Sequence, residues 1–403
     1  MAKTLALISS LDTKSREILF AARLLKEKGL GAFIIDISAK NPRPDLASLS
    51  SPEILKRRGI EWKDFDTLDR ASRIEQLSQS LAVVVPEYYG GGCFDGILSI
   101  GGGQNARMAA GAMKNLPYGV PKVIVSPLVS GKRELEQYVF DRDVMVMHSV
   151  ADFSGLNNMT RMIITNAVNA AAGMVEGYGA FVKNPDKKTI GVSLLGITSR
   201  GAVSAMEELE AKGFETMGFH ANGTGGRCFE NLVRDGIIDA ALDMNLHELT
   251  CEQFGGYCTG ANNRLLAAGE KGIPVVFAPG GVDVIDYYVA EHIPLRFEER
   301  QKIYHNAHVC HTKIFKDEAE KLGEVVAGRL NAAKGPVAVI LPQKGFCEAG
   351  APGGKLYNPE VDRCFMNSLT ENLDKNIPVN KVDANINDPE CAVLCARITA
   401  DFL

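Results

Sequence analysis

Three short segments of this 403-residue chain combine residue types that could hold a phosphate group. The first, "SSLDTKSRE", places Asp12, Thr13 and Lys14 in one turn before a predicted helix. A lysine at this place could pair with a phosphate, and a threonine hydroxyl could hydrogen-bond to it. The simpler interpretation is a helix cap formed by Ser10, Asp12 or Thr13. Both interpretations stay open at this point.

The second segment, "SIGGGQNARMAAG", follows the apolar run "DGILSI". Gly101, Gly102, Gly103 and Gln104 stand between this predicted strand and a predicted helix. Consecutive glycines after a strand leave backbone N–H groups accessible to an anion, so we expect a phosphate-binding loop. The acidic residue that a dinucleotide-binding loop has about twenty positions later is missing here. A turn without a ligand is the alternative.

The third segment, "FHANGTGGRCFENLV", reads as the end of a strand, a glycine-rich bend and the start of a helix. The bend contains Gly223, Thr224, Gly225 and Gly226. The first N–H groups of a helix have no partner within it and can close around an anion. The segment has neither the GK[ST] of a Walker loop nor the full GxGxxG spacing. It could therefore bind a polar ligand or form only a tight turn.

A fourth glycine-rich segment, "APGGVDVID", adds Gly280 and Gly281 after a predicted strand, with Asp283 close behind. In open α/β sheets, ligands bind beyond the carboxyl ends of the strands. We therefore assign these residues to the ligand-binding loops, with Asp283 as an orienting carboxylate.

Candidates for proton transfer lie in the second half of the chain. They are His220 at a predicted strand end, Glu248 in "LDMNLHELT" and His305 in "IYHNAHVCHTK". Histidine exchanges protons near neutral pH, and a glutamate can act as a general base. His305 and His311 would share a face of an extended segment, whereas His308 and His311 would be neighbours in a helix. Three histidines could bind Zn²⁺, but non-catalytic exposed histidines are the simpler alternative, and we predict no metal.

The composition limits the possible functions. The formal net charge is −5, from 44 Lys and Arg against 49 Asp and Glu, which argues against a general nucleic-acid-binding protein. No apolar stretch is long enough to span a bilayer, and we expect a cytoplasmic protein without membrane contact. The nine cysteines are odd in number and irregularly spaced, which favours free core cysteines over disulfides or a structural zinc site.

Apolar runs alternate with amphipathic stretches along the whole chain, the pattern of βαβ units. A long helix is predicted over residues 158–177, and the polar segment "KNPDKK" at 183–188 then marks a domain junction. The segment beginning "TIGVSLLGITSRGAVSAMEELEAKG" repeats the layout of "LALISSLDTKSREILFAARLLKEKG". We therefore predict two Rossmann-like α/β domains, 1–184 and 185–403, with parallel sheets and a cleft between them.

Taken in order, the motifs resemble those of a known family. They are "SLDTKSRE", "GGGQNA", "YGVPKVIVS", "FHANGTGGRCFENL", "PGGVD", "YHN", "PGGKLYNPEVD" and "INDPECA". From Leu5 to about Phe402, the chain resembles the bacterial relatives of the ATP-binding N-terminal domain of the tobamovirus-resistance protein of tomato. In this sequence Asn105 stands where the family more often has glycine, and Lys313 stands near a usual arginine.

The resemblance implies ATP binding, with or without Mg²⁺, and self-association as a homodimer or higher homo-oligomer. It implies nucleotide contacts for Asp12, Thr13 and Lys14. For His220 and the 223–226 loop it implies a polar ligand, either the nucleotide or a second substrate, and it leaves the physiological reaction open. The leading expectation is therefore a cytoplasmic ATP-binding protein. The alternative is an acid–base enzyme, a hydrolase, lyase or ligase, that acts on a small carboxylate or sugar acid with or without a metal.

Overall fold

The computed structural model describes residues 2–128, 136–177, 181–289 and 296–403. The chain divides into two compact units, Met1–Val182 and Lys183–Leu403. Each unit has its own parallel sheet flanked by helices, which confirms the predicted α/β class with two Rossmann-like domains. Within the described ranges, no helix is both long and apolar enough to cross a membrane.

The first unit alternates strands and helices. Its strands are β1 (Thr4–Ser9), β2 (Gly31–Asp36), β3 (Gly96–Ile100), β4 (Lys122–Ser126) and β5 (Met145–His148). Its helices are α1 (Leu11–Glu27), α2 (Ser51–Arg57), α3 (Trp62–Phe65), α4 (Arg70–Gly90), α5 (Gly103–Met113), α6 (Glu136–Val139) and α7 (Asn158–Gly177). The last of these confirms the helix predicted over 158–177.

The five strands of the first unit pair in parallel in the order β2-β1-β3-β4-β5. Successive side chains of β1 point to opposite faces of the sheet. Leu5 and Leu7 therefore pack into one apolar cluster with α1 and α7, and Ala6 and Ile8 into the other with α4 and α5. Because helices cover both faces, β3 and β4 are buried along their whole length.

The second unit also alternates strands and helices. Its strands are β6 (Thr189–Leu194), β7 (Glu215–His220), β8 (Ala240–Asp243), β9 (Val275–Phe277), β10 (Val284–Tyr288), β11 (Lys302–Tyr304), β12 (Val309–Lys313), β13 (Val337–Pro342) and β14 (Val379–Val382). Its helices are α8 (Ser199–Ala211), α9 (Thr224–Arg234), α10 (His247–Phe254), α11 (Leu266–Lys271), α12 (Lys316–Asn331), α13 (Pro359–Asn372) and α14 (Pro389–Asp401).

Six of these strands form a parallel sheet in the order β14-β13-β9-β8-β6-β7. The repeat seen in the sequence is present in the structure. The segments β1–α1–β2 and β6–α8–β7 both bring two strands side by side in parallel. The next strand along the chain, β3 in the first unit and β8 in the second, pairs on the other side of β1 or β6. The strand order thus reverses between β1 and β3 and between β6 and β8.

The sequence did not predict the small antiparallel sheet, which has the order β10-β12-β11. In this sheet Asp286 of β10 faces His311 of β12. Of the two alternatives for the histidine-rich segment, extended or helical, the structure shows the extended one. The turn in this segment lies between β11 and β12.

Candidate functional site

A cavity of about 640 Å³ lies in the first unit, at the ends of β1 and β3. The strand order reverses here, and ligands of open α/β sheets bind beyond the carboxyl ends of strands at such a reversal. The cavity is lined by six of the predicted nucleotide-binding residues, namely Asp12, Thr13, Lys14, Gly102, Gly103 and Gln104. The structure therefore brings the two predicted phosphate segments of the first half together. Gly101 is buried directly before them.

The backbone at the start of α1 is already hydrogen-bonded within the unit. Three N–H groups donate to side-chain oxygens at 2.9–3.0 Å: Ser10 to Asn105, Leu11 to Asp36 and Asp12 to Ser38. The side chain of Ser10, the N-cap residue, makes no capping hydrogen bond. A ligand at this turn would therefore meet the side chains of Asp12, Thr13 and Lys14 rather than the helix backbone.

The start of α5 differs in this respect. Among the described residues, the N–H groups of Gly102, Gly103 and Gln104 have no hydrogen-bond partner. Asn105 joins this loop to the other one, because its Oδ1 accepts from Ser10 and its Nδ2 donates to Ser99 Oγ at 3.0 Å. Asn105 thus connects the two loops that line the cavity.

The cavity has an excess of positive charge. Four of its lining residues are basic, namely Lys14, Lys40, Arg70 and Arg73, and one is acidic, Asp12. Arg73 is paired with Asp66 at 2.9 Å. In the described part of the chain, Lys14, Lys40 and Arg70 form no ion pair with a carboxylate. Burial raises the pKa of Asp12, and the charge of Asp36 raises it further. The arrangement suits an anionic ligand.

In the second unit, the 223–226 loop closes around a carboxylate of the protein itself. The N–H groups of Gly223 and Gly226 donate to Glu248 Oε1 at 2.5 and 2.9 Å, and Glu248 is fully buried. A Cβ on Gly226 would lie 1.9 Å from Glu248 Oε2, and one on Gly225 would lie 1.9 Å from the carbonyl oxygen of His220. Close packing therefore requires glycine at both positions. External ligand binding at this loop stays a prediction.

Glu248 belongs to a buried cluster around Arg264. The guanidinium lies 2.5 Å from Asp243 Oδ2 and from Glu248 Oε2, and 3.7 Å from Glu230 Oε1. Three carboxylates around one cation leave an excess of negative charge in the interior. Burial raises the pKa of Glu230 to about 7, which Arg264 only partly offsets. The contacts of Glu248 hold the glycine loop in place, and its acid–base role stays a prediction.

The "APGG" segment is also packed into the interior. A Cβ on Gly280 would lie 1.9 Å from the carbonyl oxygen of Met244, and Gly281 has a φ of 66°. Asp283 is buried and pairs with Lys313 at 2.6 Å, and Lys313 also pairs with Asp362 at 2.7 Å. This buried ion cluster stabilises the connection between β9 and β10. That Gly280, Gly281 and Asp283 contact a ligand stays a prediction.

The three predicted acid–base residues do not form one constellation. Over the described residues, no hydrogen bond or ion pair joins His220, Glu248 and His305. His220 and His305 are exposed, and the His305 ring lies 5.3 Å from the His311 ring. His308 instead stacks on Tyr288 at 5.7 Å. Each residue stays a separate candidate.

Sequence reasoning missed a group of buried residues in the second unit. His247 Nε2 lies 3.2 Å from Asp286 Oδ2 and 3.3 Å from Cys251 Sγ, and Cys258 completes the group. Burial raises the pKa of Cys251, but Cys258 and His247 outweigh this effect and hold it below its usual range. Burial also raises the pKa of Asp286, but His247 and His311 hold it well below its usual range. The only sequence signal was the four-residue spacing of His247 and Cys251, which places both on one face of a helix.

Two family models match the chain. Residues 3–180 match the N-terminal domain and residues 187–403 the C-terminal domain of the "Uncharacterised protein family (UPF0261)". This chain belongs to the UPF0261 family. A UPF0261 protein of Clostridium tetani is 34% identical to it over 98% of each chain.

The tomato ToMV resistance protein Tm-1(GCR237) is 30% identical over 96% of this chain. The alignment covers 54% of the tomato protein, so this UPF0261 chain spans about half of that relative's length. The resemblance inferred from the motifs is thereby confirmed at the level of the family. Among solved structures, MurG of Acinetobacter baumannii is similar over 99% of both chains, with 12% identity and a TM-score of 0.24.

Proposed function

We propose that the first unit binds a nucleoside polyphosphate, ATP with or without Mg²⁺, in the cavity at the ends of β1 and β3. The observation that carries this proposal is the set of N–H groups of Gly102, Gly103 and Gln104, which have no partner among the described residues and line a cavity rich in basic side chains. Unpaired N–H groups at a helix start attract phosphate through hydrogen bonds and the helix dipole.

The basic residues of the cavity suit the remaining phosphate charge. Lys14 and Lys40 would act as mobile point charges, and Arg70, whose Nη2 donates to Gln104 Oε1 at 3.1 Å, would offer its guanidinium beside the glycine loop. Mg²⁺ is usually held by one or two carboxylates together with substrate phosphates, and Asp12 is the carboxylate available in this cavity.

The size and lining of the cavity also fit a nucleotide. Its volume of about 640 Å³ lies within the usual range for small-molecule sites, roughly 300–1,000 Å³. Ala39 and Ile74 contribute apolar surface to the lining, against which a base could pack. Polar groups would thus bind the phosphates, and apolar groups the base.

A methyl group added at Gly102 tests the proposal directly. A Cβ there meets no atom of the described residues within 4 Å, and the backbone (φ −70°, ψ 179°) accepts alanine. The methyl group would stand where the phosphate is proposed to approach. We expect Gly102→Ala to weaken ATP binding at least about tenfold, a loss of about 1.4 kcal/mol, in isothermal titration calorimetry.

Gly111→Ala is the matched control, because it adds the same methyl group to α5 where no atom lies within 4 Å. Lys14→Ala should also weaken binding, with Lys26→Ala in the last turn of the same helix as its control. Equal affinity of Gly102→Ala and Gly111→Ala, or no ATP binding by the unmodified protein at millimolar concentration, would refute this site.

Other expectations stay predictions at this stage. Self-association follows from the family resemblance and is tested by light scattering of the purified chain. Cytoplasmic location is tested by fractionation of the native cells. An acid–base reaction on a small carboxylate or sugar acid is tested by turnover assays with His305→Asn, because this exposed side chain can be changed without disturbing the core.

A further inference from the structure

Four side chains in the interior of the second unit bring two thiols, an imidazole and a carboxylate together. We call His247, Cys251, Cys258 and Asp286 the thiol–imidazole cluster. The ligand atoms of His247, Cys258 and Asp286 all lie within 4.8 Å of one another, and Cys251 Sγ lies 3.3 Å from His247 Nε2. All four residues are buried, with exposed fractions of 0–7%.

The local fold builds this cluster from three segments. His247 and Cys251 are four residues apart on α10, so both side chains lie on one face of the helix. The helix ends at Gly255, which has a φ of 77°, and the chain turns back. The N–H of Tyr257 then donates to the carbonyl oxygen of Asp286 at 2.6 Å, and this hydrogen bond holds the following Cys258 beside β10.

Gly256 allows the close approach of these segments. A Cβ at this position would lie 2.5 Å from Cys251 Sγ and 2.7 Å from Ile285 Cγ2. Its N–H donates to the carbonyl oxygen of Cys251 at 2.8 Å. The backbone of Gly256 thus packs directly on the thiol of Cys251, and any side chain at position 256 would collide with it.

Two of the distances in the cluster match those around a tetrahedral zinc ion. Bonds of about 2.0–2.3 Å place the ligand atoms of tetrahedral zinc about 3.3–3.8 Å apart. His247 Nε2 lies 3.2 Å from Asp286 Oδ2 and 3.3 Å from Cys251 Sγ. The ligand atoms of His247, Cys258 and Asp286 lie within 4.8 Å of one another and would move together by about 1 Å on binding, and Cys251 would join them from its position beside His247.

The surroundings are also those of a metal site. Asp286 uses its second oxygen, Oδ1, to bind His311 Nδ1 across the β10–β12 pair, and metal-binding carboxylates are usually held by such an outer hydrogen bond. Both ion-pair partners of Asp286 in the described structure are histidines. The polar contacts of the His247 ring lie on its Nε2 side; unlike the other nitrogen of most metal-binding histidines, the buried Nδ1 has no partner among the described residues. In the part of the chain that the structure describes, no lysine or arginine pairs with Asp286, and a divalent cation would balance the charge of the carboxylate and the two thiolates.

We propose that the thiol–imidazole cluster binds one Zn²⁺ ion through His247 Nε2, the thiolates of Cys251 and Cys258, and the carboxylate of Asp286. Mixed sulfur, nitrogen and oxygen ligands in tetrahedral geometry select zinc among the common divalent ions. Four protein ligands in a buried position are typical of a structural site. Binding requires both sulfurs as thiolates and His247 as a neutral imidazole, so the protons that these groups carry are released to solvent and no oxidation state changes. The site lies in the second unit and does not depend on the nucleotide site.

The test uses the full-length protein, purified under reducing conditions without chelators. We expect about one zinc per chain by elemental mass spectrometry, together with thiolate-to-cobalt charge-transfer and tetrahedral d–d absorption bands when Co²⁺ replaces zinc. Cys258→Ser should weaken zinc binding at least about tenfold, whereas Cys364→Ser, a half-buried cysteine of the same unit outside the cluster, should keep it.

His311→Ala removes the outer hydrogen bond and leaves all four ligands in place, so it stays informative if Cys258→Ser does not fold. We expect its zinc affinity to fall about 10–100-fold. Three results would overturn the proposal: no zinc bound and none taken up on titration, Co²⁺ uptake without thiolate charge-transfer bands, or a Cys251–Cys258 disulfide in protein purified in parallel without reductant. The last result would identify the two thiols as a redox pair.

Discussion

Gly226→Ala is the substitution that most directly tests the packing of the second unit. A Cβ at this position would lie 1.9 Å from Glu248 Oε2, 2.5 Å from Glu248 Cδ and 2.7 Å from Arg264 Cδ. Glu248 and Arg264 are both fully buried, so neither can move outward into solvent. We therefore expect Glu248 to be displaced from the 223–226 loop.

The magnitude follows from the contacts that this displacement breaks. Glu248 accepts hydrogen bonds from Gly223 and Gly226 and pairs with Arg264 at 2.5 Å. A hydrogen bond to a charged group contributes about 1.5–3 kcal/mol, and breaking a buried ion pair costs about 3–5 kcal/mol. Because these contacts form one network, their contributions do not add. We expect a loss of about 3–5 kcal/mol, a large part of the roughly 5–15 kcal/mol by which a domain is stable.

Urea unfolding followed by circular dichroism measures this loss. Gly328→Ala is the control, because it adds a methyl group inside α12 with no atom within 4 Å, and it should stabilise by about 0.5–1 kcal/mol. A Gly226→Ala protein within about 1 kcal/mol of the unmodified protein would contradict the described packing. Loss of ATP binding by a folded Gly226→Ala protein would place the 223–226 loop in the nucleotide site.

Three further predictions concern other buried polar groups. Burial raises the pKa of Glu230 from 4.5 to about 7, so the folded state binds a proton that the unfolded state releases. The free energy of unfolding should therefore fall between pH 4.5 and 7, by at most about 1.4 kcal/mol per pH unit, and Glu230→Gln should flatten this slope in urea titrations at successive pH values. Asn105→Ala should lose about 1–2 kcal/mol in the same assay and also weaken ATP binding in calorimetry, because Asn105 joins the two cavity loops. Lys313→Met should cost about 3–5 kcal/mol, and adding Asp283→Asn and Asp362→Asn should recover most of this loss, since the two carboxylates would no longer be left unpaired.

Local patterns were sufficient to predict most of the fold. β1 and β6 are mainly apolar strands, buried along nearly their whole length and followed by helices with an apolar face, and such segments form βαβ units largely independent of distant residues. The small antiparallel sheet was missed because β11 has only three residues and its pairing with β12 spans a histidine-rich turn without an apolar alternation.

The first unit's site was predictable because its parts are short and local. Lys14 and the 101–104 loop follow strands, and adjacent parallel strands bring their carboxyl ends together. The contribution of Arg70 and Lys40 was not predictable, because their side chains reach the cavity only through the packing of α4 and the β2–α2 connection. The sequence likewise could not show that Glu248 reaches the 223–226 loop, since the two segments are joined only by tertiary contacts.

The corresponding positions of the two sheets have opposite chemistry. Beyond β3, at the strand-order reversal of the first unit, the chain has glycines whose N–H groups have no partner in the described structure. Beyond β8, at the reversal of the second unit, it has Glu248, and Glu248 is paired with Arg264 and with the 223–226 loop. A phosphate approaching the second position would meet buried carboxylates, whereas a phosphate at the first would meet unpaired donors and basic side chains. Electrostatics thus favours the first unit as the place for a nucleotide, although both units share one strand order.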